Sequence, residues 1–411
     1  MSLLPLLLFA LLGPWVDGDG APGDWPSFRG PQQDGHVAGP ATPLEWSETK
    51  NVRWRISLPG LGWSSPVVVG GRIFLTTAVS QGEGLSLRAM ALDAETGETI
   101  WDREIRAIEK APSIHAKNSH ASPTPIVDQG MVYVHFGALG MARLAADDGT
   151  IQWFSTELDY PPMHGSGGSP VLSDGKLVIV CDGSIDPFVA AVDAQTGKVV
   201  WKKYRSVKAR ISHSFVTVRV TEVDGQKQVI APGPDHCAAY DLATGEELWR
   251  VLAPGWSVVP QPLVAQGMVI YNRDYDHPEL MAVRLGGRGE ITDSHVVWRI
   301  NRGAPSTPSP ILVGEELYFI ADNGIASCVD VQSGERHWME RLAGDYSASP
   351  IYAQGLLLFL NEDGKGTWVR PGKKFEIVGA NEVPGRTLAT PAFAHGAMYL
   401  RTDEHLYKIA L

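Results

Sequence analysis

The sequence predicts an all-β protein, an eight-bladed β-propeller of four-stranded antiparallel blades, with seven blades as the alternative count. Three observations predict it. Seven tryptophans (Trp54, Trp101, Trp153, Trp201, Trp249, Trp298, Trp338) recur at intervals of 40 to 52 residues. Five of them end one phrase: LDAETGETIW (92–101), AADDGTIQW (145–153), VDAQTGKVVW (192–201), YDLATGEELW (240–249) and VDVQSGERHW (329–338), each with Gly four residues before Trp. A second phrase alternates with it, a proline, a β-rich run and then Gly, as in PVVVGGRIF (66–74), PIVDQGMVY (125–133) and PILVGEELYF (310–319). A repeated unit of some 45 residues with four strands is the pattern of a propeller blade.

The elements follow in chain order. Residues 3–16, LLPLLLFALLGPWV, form an apolar run followed by DGDGAPG. The run is shorter than the roughly 20 residues that span a bilayer. It reads as a secretory signal over 1–18, with no Cys at the junction to carry a lipid. Residues 19–50 are expected to pack on the ring, because Trp25, Phe28 and Trp46 need burial. Residues 51–411 form the propeller.

Within each copy the Pro-initiated run is the first strand, and a Gly turn leads to the second. The third runs into Asp-x-x-Thr-Gly, where Asp bonds the turn backbone and Gly takes positive φ. The fourth strand carries Trp. HSFVTVRVTEVDGQKQVI (213–230) is a degenerate copy of the second phrase, and GGRGEITDSHVVW lengthens the copy ending at Trp298. The seventh copy is expected to place Phe375 where the others have Trp. The last copy starts at Pro391 and stops at LYKIAL, without a Trp strand. NVRWRISL (51–58) is therefore expected to complete the last blade and lock the ring.

Composition limits the function. Lys plus Arg number 35 against 46 Asp plus Glu, a net charge of −11, which argues against nucleic acid or anionic lipid as partner. Cys181, Cys237 and Cys328 are too few and too scattered for a disulfide framework or zinc motif, and read as buried thiols. GDGAPG (18–23) matches G-x-G-x-x-G without a strand before it, so it is accidental. NRDYDH (272–277) lacks the Gly and Glu of a calcium loop.

The repeated A-x-D-x-x-(T/S)-G-x-x-x-W phrase resembles the quinoprotein-type (PQQ-like) β-propeller repeat over about residues 51–411. DWPSFRGP (24–31) resembles the leader of exported bacterial members. The resemblance implies the propeller fold. It implies two kinds of activity: PQQ-dependent alcohol or sugar dehydrogenases, which hold PQQ with Ca²⁺, and scaffolds such as the outer-membrane assembly factor BamB, which bind protein and no quinone. The dehydrogenases often carry adjacent paired cysteines, which this chain lacks. No position matches their Asp base or calcium ligands well enough to carry those roles across.

The segments preceding the first strands converge on one face of a propeller. They hold Trp63, Asn118, His120, His164, Arg210, His213, Trp256, Arg302, Asp345, Tyr346 and Arg386. His120, His164 and His213 could bind a transition metal, since imidazole suits zinc or copper. The arginines and tryptophans could grip a flat anion. The plain alternative is that these side chains satisfy turn backbone. On this reading the chain is a monomeric protein of the periplasm or cell surface. It binds a protein, peptide or small anion at the loop face, and quinone-dependent oxidation is the alternative.

Overall fold

A computed structural model describes residues 23–40 and 42–411. The proposed signal segment lies outside the described residues. Among them the strands form eight sheets, seven of four strands and one of five. Each sheet is one antiparallel blade. Blade 1, for example, runs outward from Val67–Val69 through Arg72–Gln81 and Gly84–Asp93 to Thr99–Ile108. Blades 2 to 8 begin at Ile126, Val171, Arg219, Leu263, Ile311, Ile351 and Ala392. The eight-blade count is the correct one. As expected, Val52–Ser57 pairs with His405–Ala410, so the N-terminal strand forms the outer edge of blade 8.

The repeated phrase explains how blades adhere. In the Asp-x-x-Thr-Gly turns the carboxylate caps the backbone; Asp193 Oδ1 accepts the N–H and hydroxyl of Thr196, both at 2.7 Å. Gly then takes positive φ, 73° at Gly197. The same glycine receives the tryptophan of the preceding blade. A methyl placed on Gly197 would meet the Trp153 ring at 2.8 Å, and Gly149 stands in the same relation to Trp101. The indole N–H donates to a backbone carbonyl of the same turn region: Trp101 to Ala146 O at 2.9 Å, Trp153 to Ala194 O at 3.1 Å, Trp201 to Leu242 O at 3.0 Å. Trp54 makes the equivalent bond across the closure, to Glu95 O at 2.9 Å. The apolar core accordingly lies between blades, as in the cluster joining Phe74 and Trp101 of blade 1 to Val132 and Leu144 of blade 2.

Three places depart from the repeat. Blade 4 has a fifth strand, Gly289–Glu290, which lies parallel to Glu247–Leu252 and comes from the lengthened copy before Trp298. Trp249 faces that insertion rather than a Thr-Gly turn, and its indole bonds Gln228 Oε1. In blade 7 the register gives the tryptophan position to Gly379, opposite Trp368. Phe375, expected there, instead lies in the preceding turn against Trp338 of blade 6, centroids 5.0 Å apart. Trp46 of the N-terminal segment packs edge-on against Trp368, and its backbone N–H bonds Asn381 Oδ1.

Residues 24–37 cross one end of the central channel. Trp25 bridges Val68 of blade 1, Pro26 O accepts the Val127 N–H of blade 2, and His36 bridges Tyr352 of blade 7. The Arg29 guanidinium, buried and with its pKa pulled down to about 10 by desolvation, donates to Pro310 O at 2.8 Å beside blade 6. Arg219 of blade 4 donates to Gln32 O at 2.7 Å. The segment thus satisfies inner-strand backbone that a bare channel would leave to water.

Candidate functional site

The opposite end of the channel is a cavity of about 540 Å³, with Phe28 of the crossing segment among its lining residues. Its wall begins with the residue before each first strand's proline. Ser65, Thr124, Ser169, Ser309, Ser349 and Thr390 hold that place, and Thr217 and Gln261 complete the set of eight. They form a collar around the channel. Ser65 N–H bonds Thr124 Oγ1 at 3.0 Å, Thr124 N–H bonds Ser169 Oγ at 2.9 Å, and Ser169 N–H bonds Thr217 Oγ1 at 2.9 Å. The same bonds join Gln261 to Ser309, Ser309 to Ser349 and Ser349 to Thr390. Each accepting hydroxyl keeps a donor proton for the cavity, since a hydroxyl both donates and accepts.

Above the collar the tripeptide Gly-Trp-Ser occurs twice, at 62–64 and 255–257, before blades 1 and 5. In a ring of eight these blades are opposite. Arg386 lies over the Trp63 ring at 5.9 Å and Arg210 over the Trp256 ring at 5.7 Å. Two guanidinium–indole pairs therefore face each other across the mouth, a contact favoured by the ring quadrupole.

Between them stands a row of imidazoles. His164 lies 5.6 Å from His115 and 5.2 Å from His213, both edge-on. Burial, and then the neighbouring His115, hold the His164 pKa below its ordinary value; burial and then His164 do the same for His213. Both therefore favour the neutral form at pH 7. Beside the row lies a buried bidentate pair, Asp182 with Arg205 at 2.9 and 2.7 Å, which joins blade 3 to the Ala231 and Pro232 carbonyls of blade 4.

The segment 109–121 reaches over this end. His115 N–H donates to His164 O, and the Asn118 side-chain amide donates to the same carbonyl at 2.8 Å. Lys117 Nζ then bonds Glu362 Oε1 of blade 7 at 2.8 Å, far from its own blade 2. Burial opposes the Lys117 charge, but Glu362, Asp322 and Tyr275 outweigh it and raise the pKa.

The structure brings Trp63, Asn118, His164, His213 and Trp256 to the cavity wall, with Arg210 and Arg386 over the two indoles. It does not gather the rest. His120 is outside the imidazole row, whose third member is His115, because the chain turns between them at 115–118. Arg302 is exposed, and its carbonyl accepts from Arg336 in the outer strand of blade 6. Tyr346 is buried in the apolar cluster between blades 6 and 7. Asp345 is exposed and bonds Glu362 N–H through its carbonyl. The residues not foreseen are the hydroxyl collar, His115, Lys117, Tyr275 and Glu362. The collar had a visible signal, Ser or Thr before proline in six copies.

Among the described residues no three His, Cys, Asp or Glu side chains come together as a metal site. His120, His164 and His213 do not form one. The fit to a calcium-bound quinone is also poor. Glu362 is engaged by Lys117 and Ser347, and Asp322 by the Ser306 and Thr307 N–H groups and the Thr307 hydroxyl. Hard Ca²⁺ needs several free oxygens at one point. The three cysteines are free and buried, as expected.

The family model described as Outer membrane protein assembly factor BamB matches residues 48–203 and 186–406. The BamB of Moranella endobia (strain PCIT) is 19% identical over 289 residues, 69% of this chain and 66% of that protein. The dehydrogenase subunit of the quinone alcohol dehydrogenase of Gluconobacter oxydans (strain 621H) is 26% identical over 208 residues, 45% of this chain. The chain spans about a quarter of the length of that enzyme. The crystal structure of BamB from Moraxella catarrhalis superposes with a TM-score of 0.59 at 14% identity, covering 88% of this chain and 97% of that one. At that identity the likeness is one of fold.

Proposed function

This chain belongs to the outer membrane protein assembly factor BamB family of PQQ-like propellers, and from that premise we propose that it is a non-enzymatic scaffold of the cell envelope whose open mouth binds another protein or peptide. The observation that carries the reading is the asymmetry of the channel. One end is crossed by the chain's own residues 24–37. The other opens as a cavity with aromatic, imidazole and hydroxyl groups on its wall and, among the described residues, no cluster of three metal-ligating side chains. The apolar run at 3–16 supports export to the periplasm or cell surface. The protein acts as a monomer, or as one subunit of a larger assembly.

The likeness to a quinone alcohol dehydrogenase subunit favours a second reading, a quinone-dependent oxidoreductase. The cavity's oxygen donors support it less well than they support binding. One experiment tests both. Cells expressing the chain or its Trp256→Glu variant are treated with a chemical crosslinker, and the purified chain is assayed with PQQ, Ca²⁺ and alcohols. The scaffold reading expects defined envelope-protein adducts that the variant loses. Adducts unchanged by Trp256→Glu, or quinone-dependent turnover, would contradict it.

A further inference from the structure

Among the described residues, Glu362 is the one carboxylate at the mouth paired with two cations from different parts of the ring, Lys117 and Arg386. Its Oε1 takes Lys117 Nζ at 2.8 Å and the Ser347 hydroxyl at 2.6 Å, while Oε2 faces Arg386 Nη2 at 3.7 Å. Exposure is unequal within this group. The Glu362 side chain is 11% exposed, but Lys117 is 35% and Arg386 43% exposed. The cations are thus within reach of an incoming group, and the carboxylate lies beneath them. Arg386 is steadied by the Trp63 ring below it. Lys117 is carried by a segment tied down near it through two bonds to one carbonyl, His164 O.

We propose that Lys117 and Arg386 form a carboxylate-binding site at the mouth, and that Glu362 occupies it as an internal stand-in until a ligand carboxylate displaces it. The proposal rests on the reading of the mouth as the binding face and adds the chemistry of what binds there. Across the mouth Arg210 makes no hydrogen bond or ion pair among the described residues and offers a free guanidinium to a second carboxylate. Below, the collar hydroxyls accept backbone N–H bonds and, among the described residues, donate to no protein acceptor. The fitting ligand carries two or more carboxylates. It is either a free organic acid or the acidic side chains of a peptide.

The test is calorimetric titration of the full mature chain with citrate and, separately, with an acetyl-capped glutamate pentapeptide. Four variants accompany the wild type: Lys117→Met, Arg386→Met, Glu362→Gln and, away from the mouth, Arg302→Met. At least one probe should bind. Lys117→Met and Arg386→Met should each weaken it about tenfold or more. Glu362→Gln should tighten it about tenfold, because it removes the competitor, and Arg302→Met should leave it unchanged. A site that merely tolerates anions would weaken with the cation variants but not tighten with Glu362→Gln, and that result overturns the stand-in. Failure of both probes to bind wild type and Glu362→Gln, or affinity indifferent to Lys117→Met and Arg386→Met, overturns the site itself. Citrate binding without peptide binding identifies a free acid, and the reverse identifies a peptide. If neither probe binds, the crosslinked adducts of the scaffold reading still stand on their own result, so the two can fail separately.

Discussion

At the scale of single residues the ring is held by a few buried polar groups whose charge states are fixed by burial. Arg401 has no carboxylate partner among the described residues. It donates to Ser64 O, Ser64 Oγ and Thr76 O, joining blade 8 to blade 1, and desolvation pulls its pKa down to about 9. His135 of blade 2 is fully buried, with Nδ1 unpartnered and its pKa pushed down to about 4. The unfolded chain binds that proton near pH 6.5. The stability that neutral His135 contributes is complete above about pH 6.5 and is lost as pH falls toward 4. Between pH 7 and 5 the loss is about 2 kcal/mol. Between pH 7 and 5, urea unfolding of His135→Leu should lose about 2 kcal/mol less stability than wild type. An unchanged loss would mean that His135 takes up its proton without opening the fold. Neither histidine nor arginine burial was legible in the sequence, because both depend on which blades meet. The collar was written there as Ser or Thr before proline, but its role appears only once neighbouring blades are side by side.

At the scale of the element the unit is an indole set on the next blade's turn. The turn glycine serves two needs, positive φ and room for the ring, and two substitutions separate them. Gly175 has φ of 68° with nothing within 4 Å of an added methyl, whereas Gly197 has φ of 73° and the Trp153 ring in the way. Gly175→Ala should cost about 1 kcal/mol, the backbone penalty alone. Gly197→Ala should cost roughly 2 kcal/mol more, from overpacking. Equal losses in chemical denaturation would show that the indole yields freely. This unit was the most legible part of the chain, because Gly and Trp recur at fixed spacing. It failed where the spacing failed. Gly379 stands where Phe375 was expected, and the lengthened loop before Trp298 hid the fifth strand of blade 4. The loop 109–121 has no period, so its reach from blade 2 to blade 7 had no signal in sequence.

At the scale of the whole molecule the ring has two unlike ends. Closure by Val52–Ser57 and the crossing of 24–37 both come from the N-terminal part of the chain, so one end of the channel is sealed by the protein itself. The mouth gathers side chains from many blades, and residues far apart in sequence, such as Lys117 and Glu362, meet only there. That is why five of the eleven loop-face candidates line one cavity and Arg210 and Arg386 lie over its two indoles, while His120 lies outside the imidazole row and Arg302, Asp345 and Tyr346 lie elsewhere. The central claim is that partners engage the open end and not the sealed one. The most direct measurement places a photo-reactive benzoylphenylalanine at Trp256 on the mouth or at Glu315, in an exposed turn that leads from an innermost strand at the sealed end, and analyses crosslinks in living cells by mass spectrometry. The account predicts defined protein adducts from position 256 and none from position 315. Adducts from position 315 alone, or the same adducts from both, would contradict it.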